Sequence, residues 1–426
     1  MNQTLKPLAE VLKQVYPNYH PEVGLEEVGA PALSPFFTAC SSSRLQMFSS
    51  HLTQHLWFKG VEPPRCLTGI EREFAQTTFA LKIPVDATIL AVIPRYPMIA
   101  GADSIRENPE YVVIYENFDT KEVGCLVLPR HHSIHKDFGF RYVPENYDLI
   151  APKQSIKKGT RFGRSPEVDE LGNYCYGGEF NVAFMSIPQI AEDGIVISES
   201  AASRLTTKAF GTRVIKWGKK HFPLNIYSND PRVYKPFPDI GDLIRSDGLL
   251  FGLRTHDNSL APVEMLPEAL MELDQIYDKP VYAEPGARVI DVKVWCERTG
   301  KPLTPIGMET QADKYANATH LFYERILAEY NKLRKHWGEN LRITPEFHDL
   351  VVKAIADQGL PGQNERVTKT YRMQPLDEYR VEITYEYELK ANIGFKISGR
   401  YGDGSKITGR YGFNAKTDFL LLDSSV

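Results

Sequence analysis

Short runs of β-branched and aromatic residues, broken by Pro, Gly, Asn and Asp, constrain the fold of this chain most strongly. They follow one another through residues 79–190, and the clearest are residues 88–93, 111–115 and 182–185. Runs of this length between turn-forming residues are typical of strands in a barrel or a sandwich. We therefore expect this part of the chain to be a β-rich region of one of these two kinds.

The cleanest strand signal lies near the C-terminus. Apolar and polar residues alternate strictly there, with Val381, Ile383, Tyr385, Tyr387 and Leu389 on one face and Glu382, Thr384, Glu386 and Glu388 on the other. Because successive side chains of a strand point to opposite faces, the pattern predicts one core face and one wet face.

The region between these two β signals has a different texture. Strand-like runs at residues 213–217 and 289–295 flank a polar middle, which indicates an inserted domain. Within it, apolar residues recur at helical spacing and predict a helix over residues 316–337 whose stripe packs against the rest of the protein. The stripe consists of Phe322, Ile326, Tyr330, Leu333 and Trp337.

These patterns divide the chain into four segments. Residues 1–30 form an N-terminal helical arm whose helix ends at Pro17, because proline cannot continue a helix. Residues 31–200, with a helix at 41–55, form the first part of a β-barrel region, and residues 201–378 form the insertion. Residues 379–426 hold the return strand and a glycine-rich turn.

Composition excludes several classes of protein. No apolar run approaches the roughly 18 residues of a membrane-spanning helix, and the N-terminus has no apolar core of signal-peptide length. The five cysteines form no CxxC pair, which disfavours zinc and favours a reducing compartment. Fifty basic and 54 acidic residues give a net charge of -4, so any nucleic-acid contact must come from local patches. We expect a cytoplasmic protein without a membrane partner.

The glycine-rich turn KISGRYG (396–402) is the first candidate for chemistry. Its glycines let the backbone approach a ligand, and Lys396 and Arg400 bring positive charge to that point, where a phosphate would fit. A near copy, KITGRYG (406–412), follows and begins with Lys406. The spacing is not that of a P-loop, and a string of this kind taken alone is more often a structural turn with a solvated lysine.

Glu192 and Asp193 are the second candidate, because adjacent carboxylates at the entry to an apolar run need a cation or a hydrated metal to face them. Solvated turn acids are the alternative. Arg44 stands among serines and could clamp a phosphate or a carboxylate, or form an internal salt bridge.

A basic patch could follow a nucleic-acid backbone, or it could be a solvated loop. It consists of Lys157, Lys158, Arg161 and Arg164. His131, His132 and His135 lie close together, but neighbouring side chains of a strand point apart, so a shared metal is not expected.

In their order along the chain, six strings resemble the C-terminal part of the beta subunit of multisubunit DNA-directed RNA polymerases, especially the split subunits of large bacteriophages. They are SPFFTACSSSRLQMFSSHLTQH (34–55), CLTGIERE (66–73), IKKGTRFGRSPEVDELGNYCYGGEFNVAFM (156–185), EDGIVIS (192–198), VIDVKVW (289–295) and GFKISGRYG (394–402). The last resembles the family's Gly-Asp-Lys-Met-Ala-Gly-Arg-His-Gly. Together they span most of the chain.

The resemblance implies a mixed, mainly β fold: a double-psi β-barrel interrupted by a flap-like β/α insertion, with a short N-terminal helix. It places Lys396 along the RNA 3′ end and the incoming nucleotide, and Arg44 near the triphosphate. Glu192 and Asp193 match the acidic pair near the second Mg²⁺, contacted through water. Arg400, Lys406 and the basic patch would contact nucleic acid.

The resemblance also implies partners. The primary Mg²⁺ belongs to the three-aspartate loop of a beta-prime-like subunit, so this chain would not be active alone, and no zinc is implied. Separate polypeptides would supply the N-terminal half and the C-terminal end of beta, and template DNA, RNA product and nucleoside triphosphates would be the ligands. The enzyme would act in the host cytoplasm or be packaged in a virion.

One departure from the family favours a different class of function. Gly404 stands where the family has its second active-centre lysine, and Lys406 lies two residues later. A non-catalytic structural or assembly relative, or a truncated remnant, is therefore the alternative.

Overall fold

The computed structural model describes residues 30–35, 37–96, 107–183, 185, 188, 195–218, 221–231, 233–255, 266–296, 310–358, 377–392, 396–399, 407–410 and 419–422. The N-terminal helix predicted to end at Pro17 lies outside these residues.

The described chain is mainly β, with curled half-barrel sheets and a few helices. Its strands are β1 (Leu81–Lys82), β2 (Ala87–Pro94), β3 (Glu110–Asn117), β4 (Val123–Pro129), β5 (His131–His135), β6 (Phe138–Arg141), β7 (Val143–Pro144), β8 (Ser155–Ile156), β9 (Arg161–Arg164), β10 (Ile195–Ser198), β11 (Thr206–Gly218), β12 (His221–Pro223), β13 (Leu249–Thr255), β14 (Asp278–Tyr282), β15 (Arg288–Cys296), β16 (Asp377–Lys390), β17 (Lys396–Gly399), β18 (Ile407–Arg410) and β19 (Phe419–Leu422). Its α-helices are α1 (Ser42–Thr53), α2 (Glu71–Thr77), α3 (Glu199–Arg204), α4 (Gln311–Trp337) and α5 (Pro345–Asp357).

The largest sheet has the order β15-β16-β11-β6-β5. Its centre is the antiparallel pair of β11 and β16, in register from Thr206 opposite Lys390 to Trp217 opposite Tyr379, after which the register shifts and Gly218 stands opposite Asp377. The sheet takes strands from all three predicted segments beyond the N-terminal arm. The boundaries at residues 200 and 378 stay predictions.

Smaller sheets surround this one. A four-stranded sheet has the order β4-β3-β2-β8, and two three-stranded sheets have the orders β12-β13-β14 and β1-β9-β7. The two remaining pairs are β17 with β18, which is antiparallel, and β10 with β19, which is parallel. Residues 396–399 and 407–410, which belong to the two copies of the tandem repeat, thus pair with each other.

Helix α4 holds two layers together. Near its start, Ala312 and Tyr315 are buried against the five-stranded sheet, while Phe322 and Ile326 are buried in a second cluster with residues of the four-stranded sheet and of α5. Tyr330 and Leu333 pack against the same second cluster, so the predicted packing role is confirmed for these four residues of the stripe.

Several predicted elements match the structure. The helix predicted at 41–55 is α1, and the strands predicted at 88–93, 111–115, 213–217 and 289–295 lie within β2, β3, β11 and β15. Helix α4 begins five residues before its predicted start, because Thr310 and Asp313 form a capping box ahead of the apolar stripe.

Two predictions are wrong. The strand predicted at residues 182–185 is absent at the described positions Val182, Ala183 and Met185, where the chain is exposed and irregular. The wet face predicted for β16 fails at Glu386, which is buried because elements distant in sequence cover that part of the strand.

Helices of the described ranges are all too short or too polar to cross a lipid bilayer.

Candidate functional site

A polar cleft of about 350 Å³ opens where three segments of the chain meet. Its walls are Arg65, Glu179, Phe180, Asn181, Ser198, Ser200, Ala201 and Arg204. The first wall precedes α2, the second follows the loop after β9, and the third runs from the end of β10 through α3. The first wall is more than one hundred residues from the other two in sequence, whereas fewer than twenty residues separate the second wall from the third.

Main-chain hydrogen bonds hold these segments together. The amide of Gly60 donates to the carbonyl of Arg204 at 3.0 Å, and the amide of Glu62 donates to the carbonyl of Gly177 at 3.0 Å. A Cβ at Gly178 would lie 2.8 Å from the carbonyl oxygen of Gly60, closer than real contacts allow. Glycine at this position is thus what lets the two backbones touch.

Opposite charges line the cleft. Arg204 Nη2 lies 3.0 Å from Glu62 Oε1, with both side chains less than half exposed. Arg65 Nε lies 3.9 Å from Glu179 Oε2, but the Arg65 side chain is 77% exposed, so this second pair contributes little. Arg65 is the cation that stands furthest into solvent at the rim.

A hydrophobic cluster packs against Phe180 and Ala201 of the cleft and contains residues near the two predicted active-centre motifs in sequence. Phe58, Ile197, Ala202, Leu205 and Ala391 are buried together there. Ile197 belongs to β10, which begins two residues after Asp193, and Ala391 precedes Lys396 by five residues. The residue Ile197, which follows the acidic pair, and the residue Ala391, which precedes Lys396, are therefore buried in the same cluster.

The predicted site residues are described to different extents. Glu192, Asp193, Arg400 and Lys406 lie outside the described residues. Lys396 is the first residue of β17, and its Cα stands opposite that of Arg410. These roles stay predictions.

Arg44 lies on an exposed part of α1. Its Nη1 atom is 3.8 Å from Met47 Sδ, and none of the described acidic side chains pairs with it. Its guanidinium is therefore accessible to an anion.

The arginines of the basic patch are largely engaged within the protein. Arg161 Nε and Arg164 Nε lie 3.0 and 3.2 Å from the two carboxylate oxygens of Glu145. Lys157 and Lys158 are exposed. Nucleic-acid contact by this patch remains a prediction, and its exposed charge lies on the two lysines.

A buried ionic group stands out beside the sheet centre. Lys208 Nζ donates to Glu386 Oε1 at 2.9 Å, and His131 Nε2 lies 3.6 Å from Glu386 Oε2. Burial alone would raise the pKa of the Glu386 carboxyl, but the imidazole of His131 and the ammonium of Lys208 lower it from 4.5 to about 2. Strand alternation could not reveal this group, since its partners come from β5 and β11.

Metal ligands are not evident among the described residues, where no three His, Cys, Asp or Glu side chains come together to hold an ion. Glu192 and Asp193 are outside this set. Their carboxylate oxygens are the ligand type that Mg²⁺ prefers.

No protein-family model matches this chain, and no curated protein matches it either. The resemblance to RNA polymerase beta subunits therefore depends on the motif strings of the sequence alone.

Proposed function

We propose that this chain is a beta-subunit fragment of a multisubunit DNA-directed RNA polymerase of the phage type. It would contribute nucleotide- and metal-facing residues to DNA-templated RNA synthesis and would need a beta-prime-like partner carrying the three-aspartate loop. In this proposal the curled sheets belong to a double-psi β-barrel, and residues 201–378 form its flap-like insertion.

The observation that supports the proposal is that two family-like strings line one cleft and a third begins at the residue after a cleft arginine. The string at 66–73 directly follows Arg65, the string at 156–185 supplies Glu179, Phe180 and Asn181, and the string at 192–198 ends at Ser198. Arg65, which precedes the string at 66–73, reaches the cleft from more than one hundred residues earlier in the chain than the other two strings' lining residues. The cluster against the cleft adds the segment that leads to Lys396.

Distance along the chain supports the same grouping. Five residues span at most about 18 Å, so Lys396 lies within that distance of Ala391 in the buried cluster. The cluster also holds Ile197, four residues after Asp193. A cationic and an acidic motif can therefore act on one ligand.

Each proposed role follows from charge. The Lys396 ammonium would offset negative charge that develops during phosphoryl transfer, and Arg44 would contact the triphosphate. Glu192 and Asp193 would hold the second Mg²⁺ through water. When this ion is bound, it stabilises the negative charge of the triphosphate.

Reconstitution with the partner subunits, template DNA, RNA primer and nucleoside triphosphates tests the proposal. Lys396→Ala should slow nucleotide addition by about 10²–10³-fold, the usual cost of losing one charge-stabilising donor. Lys390→Ala is the matched control: it removes a lysine from the preceding strand, whose Nζ pairs with Glu199 at 3.2 Å. Equal elongation rates for the two variants would remove Lys396 from the active centre.

Gly404 supports a second candidate, a non-catalytic assembly relative. Such a protein would co-purify with the subunit that bears the three-aspartate loop but would add nothing to primer extension. Primer extension that depends on this chain and on Lys396 excludes the second candidate.

A further inference from the structure

Three neighbouring strands of the five-stranded sheet present a row of one aromatic and two cationic side chains. Trp295 of β15 stands opposite Arg380 of β16, and Arg380 stands opposite Lys216 of β11. Because cross-strand partners lie on the same face of a sheet, these three side chains are neighbours on one face. The adjacent residues of the three strands are buried on the other face: Val294, Val381 and Ile215. The row therefore lies on the face turned away from the core.

The row is accessible to a ligand from solvent. Lys216 is exposed, and none of the described carboxylates pairs with it. Trp295 is half-buried, and the guanidinium carbon of Arg380 lies 5.1 Å from the centre of its ring. A cation–π contact of this kind orders the guanidinium against the indole ring. The row thus places an ammonium beside an ordered pair of flat groups.

The next row of the same face adds a cation, an acid and an apolar side chain. Lys293 stands opposite Glu382, and Glu382 stands opposite Val214, which is 47% exposed. Lys293 Nζ lies 3.6 Å from Asp291 Oδ2, and Glu382 Oε2 lies 3.8 Å from Arg380 Nη2. Each of these two carboxylates has a cationic partner. With the lysine of the first row, three cations stand against two carboxylates, so positive charge is in excess.

Single-stranded nucleic acid matches this combination of groups. Proteins that bind single strands provide cations for the phosphates and flat side chains on which the bases stack. An indole ring and a guanidinium can each stack on a base. An acidic peptide would use the cations but would leave the indole ring of Trp295 without a partner, and a duplex keeps its bases stacked on one another. The chemistry of the face therefore favours a single strand.

Strand spacing supports the same assignment. Neighbouring strands lie about 4.8 Å apart, so the backbones at Trp295 and Lys216 are about 10 Å apart. The long side chain of Lys216 can shorten this separation, so one ligand can contact both the ring and the ammonium.

We propose that this face of the five-stranded sheet binds single-stranded nucleic acid, with a base stacked on the Trp295 and Arg380 pair and a backbone phosphate at Lys216. The inference goes beyond the proposed function and does not depend on it, because the face consists of described strands of this chain and needs no partner subunit. Binding can therefore be measured with the full chain alone.

Fluorescence anisotropy with a labelled oligothymidylate of about 12 nucleotides tests the inference. Trp295→Leu should weaken binding about tenfold, a usual cost of losing one stacked base, without changing the salt dependence. Lys216→Ala should weaken binding severalfold and should reduce by about 0.7 the steepness of log affinity against log salt concentration. Lys279→Ala is the matched control, because it removes an exposed strand lysine of β14 and should change neither value.

Several results would overturn the inference. They are a wild-type chain that does not bind the oligonucleotide, equal losses for Lys216→Ala and Lys279→Ala, and a duplex of the same length that binds as tightly as the single strand. Tighter binding of an oligoglutamate peptide would assign the face to an acidic protein segment instead. Since Lys216 is exposed, its replacement leaves the fold intact, and its salt dependence decides the question even if Trp295→Leu does not fold.

Discussion

Replacement of Glu386 by glutamine tests how much the buried ionic group stabilises the central sheet. Glutamine has nearly the same shape but no charge, so Lys208 would lose its counter-charge and His131 its neighbouring carboxylate. The Glu386 side chain is 8% exposed and Lys208 is 28% exposed. Removal of one member of a buried ion pair is costly because the other charge is left without compensation.

The magnitude follows from the pKa of Glu386. Its decrease from 4.5 to about 2 corresponds to an upper value of about 3 kcal/mol, at about 1.4 kcal/mol per pKa unit. Solvent reaches the Lys208 side of the group and screens it, so we expect about 2 kcal/mol for Glu386→Gln at neutral pH. A group with a lowered folded-state pKa stabilises the protein above its unfolded pKa and loses this effect as the pH falls towards the folded value. The destabilisation should therefore be complete above about pH 4.5 and roughly halved by pH 3.

Urea unfolding of the wild-type protein and of Glu386→Gln between pH 7 and pH 3 measures this difference in the free energy of unfolding. Glu388→Gln is the matched control, since Glu388 lies two residues further along the same face and pairs with Lys59 at 2.7 Å, yet its side chain is 57% exposed. An exposed pair of this kind contributes at most about 1 kcal/mol. The reasoning would be refuted if Glu386→Gln and Glu388→Gln lowered the free energy of unfolding equally. It would also be refuted if the decrease for Glu386→Gln did not change with pH.

Two further changes test other parts of the fold. Arg254 and Asp278 form a buried pair at 2.8 Å with side-chain exposures of 2% and 0%. In urea unfolding, Arg254→Met should lower the free energy of unfolding by about 3–5 kcal/mol, because it leaves the Asp278 charge without a partner. The double variant Arg254→Met/Asp278→Leu should recover most of this stability. No recovery in the double variant would contradict this. A Cβ at Gly139 would lie too close to the His132 carbonyl oxygen. Gly139→Ala should therefore lower the melting temperature by several degrees, because the backbone of the β5–β6 hairpin must shift. An unchanged melting temperature would contradict this.

Local patterns predicted the elements whose signal is local. The alternation at residues 381–389 predicted β16, and the helical spacing from Phe322 predicted the buried stripe of α4. The apolar run at residues 182–185 gave a wrong prediction, because a run of apolar residues forms a strand only where a neighbouring strand can pair with its backbone.

The candidate site was harder to predict, because its parts come together only in the folded chain. Arg204 has no periodic or motif signal in the sequence, and its importance appears once Glu62 and Phe180 are beside it. Glu386 follows the strand pattern of a solvated residue, and its burial depends on strands about 180 and 250 residues earlier in the chain. Contacts over such separations leave no trace in a window of ten or twenty residues.

The central claim is that the acidic pair and Lys396 serve one site. A short bismaleimide tests it in the assembled enzyme, with native cysteines replaced by serine and with Asp193→Cys and Lys396→Cys combined. Val196→Cys with Leu420→Cys is the positive control, because these positions are opposite each other in β10 and β19. We predict that both pairs become cross-linked. A cross-link in the control pair alone would contradict the account.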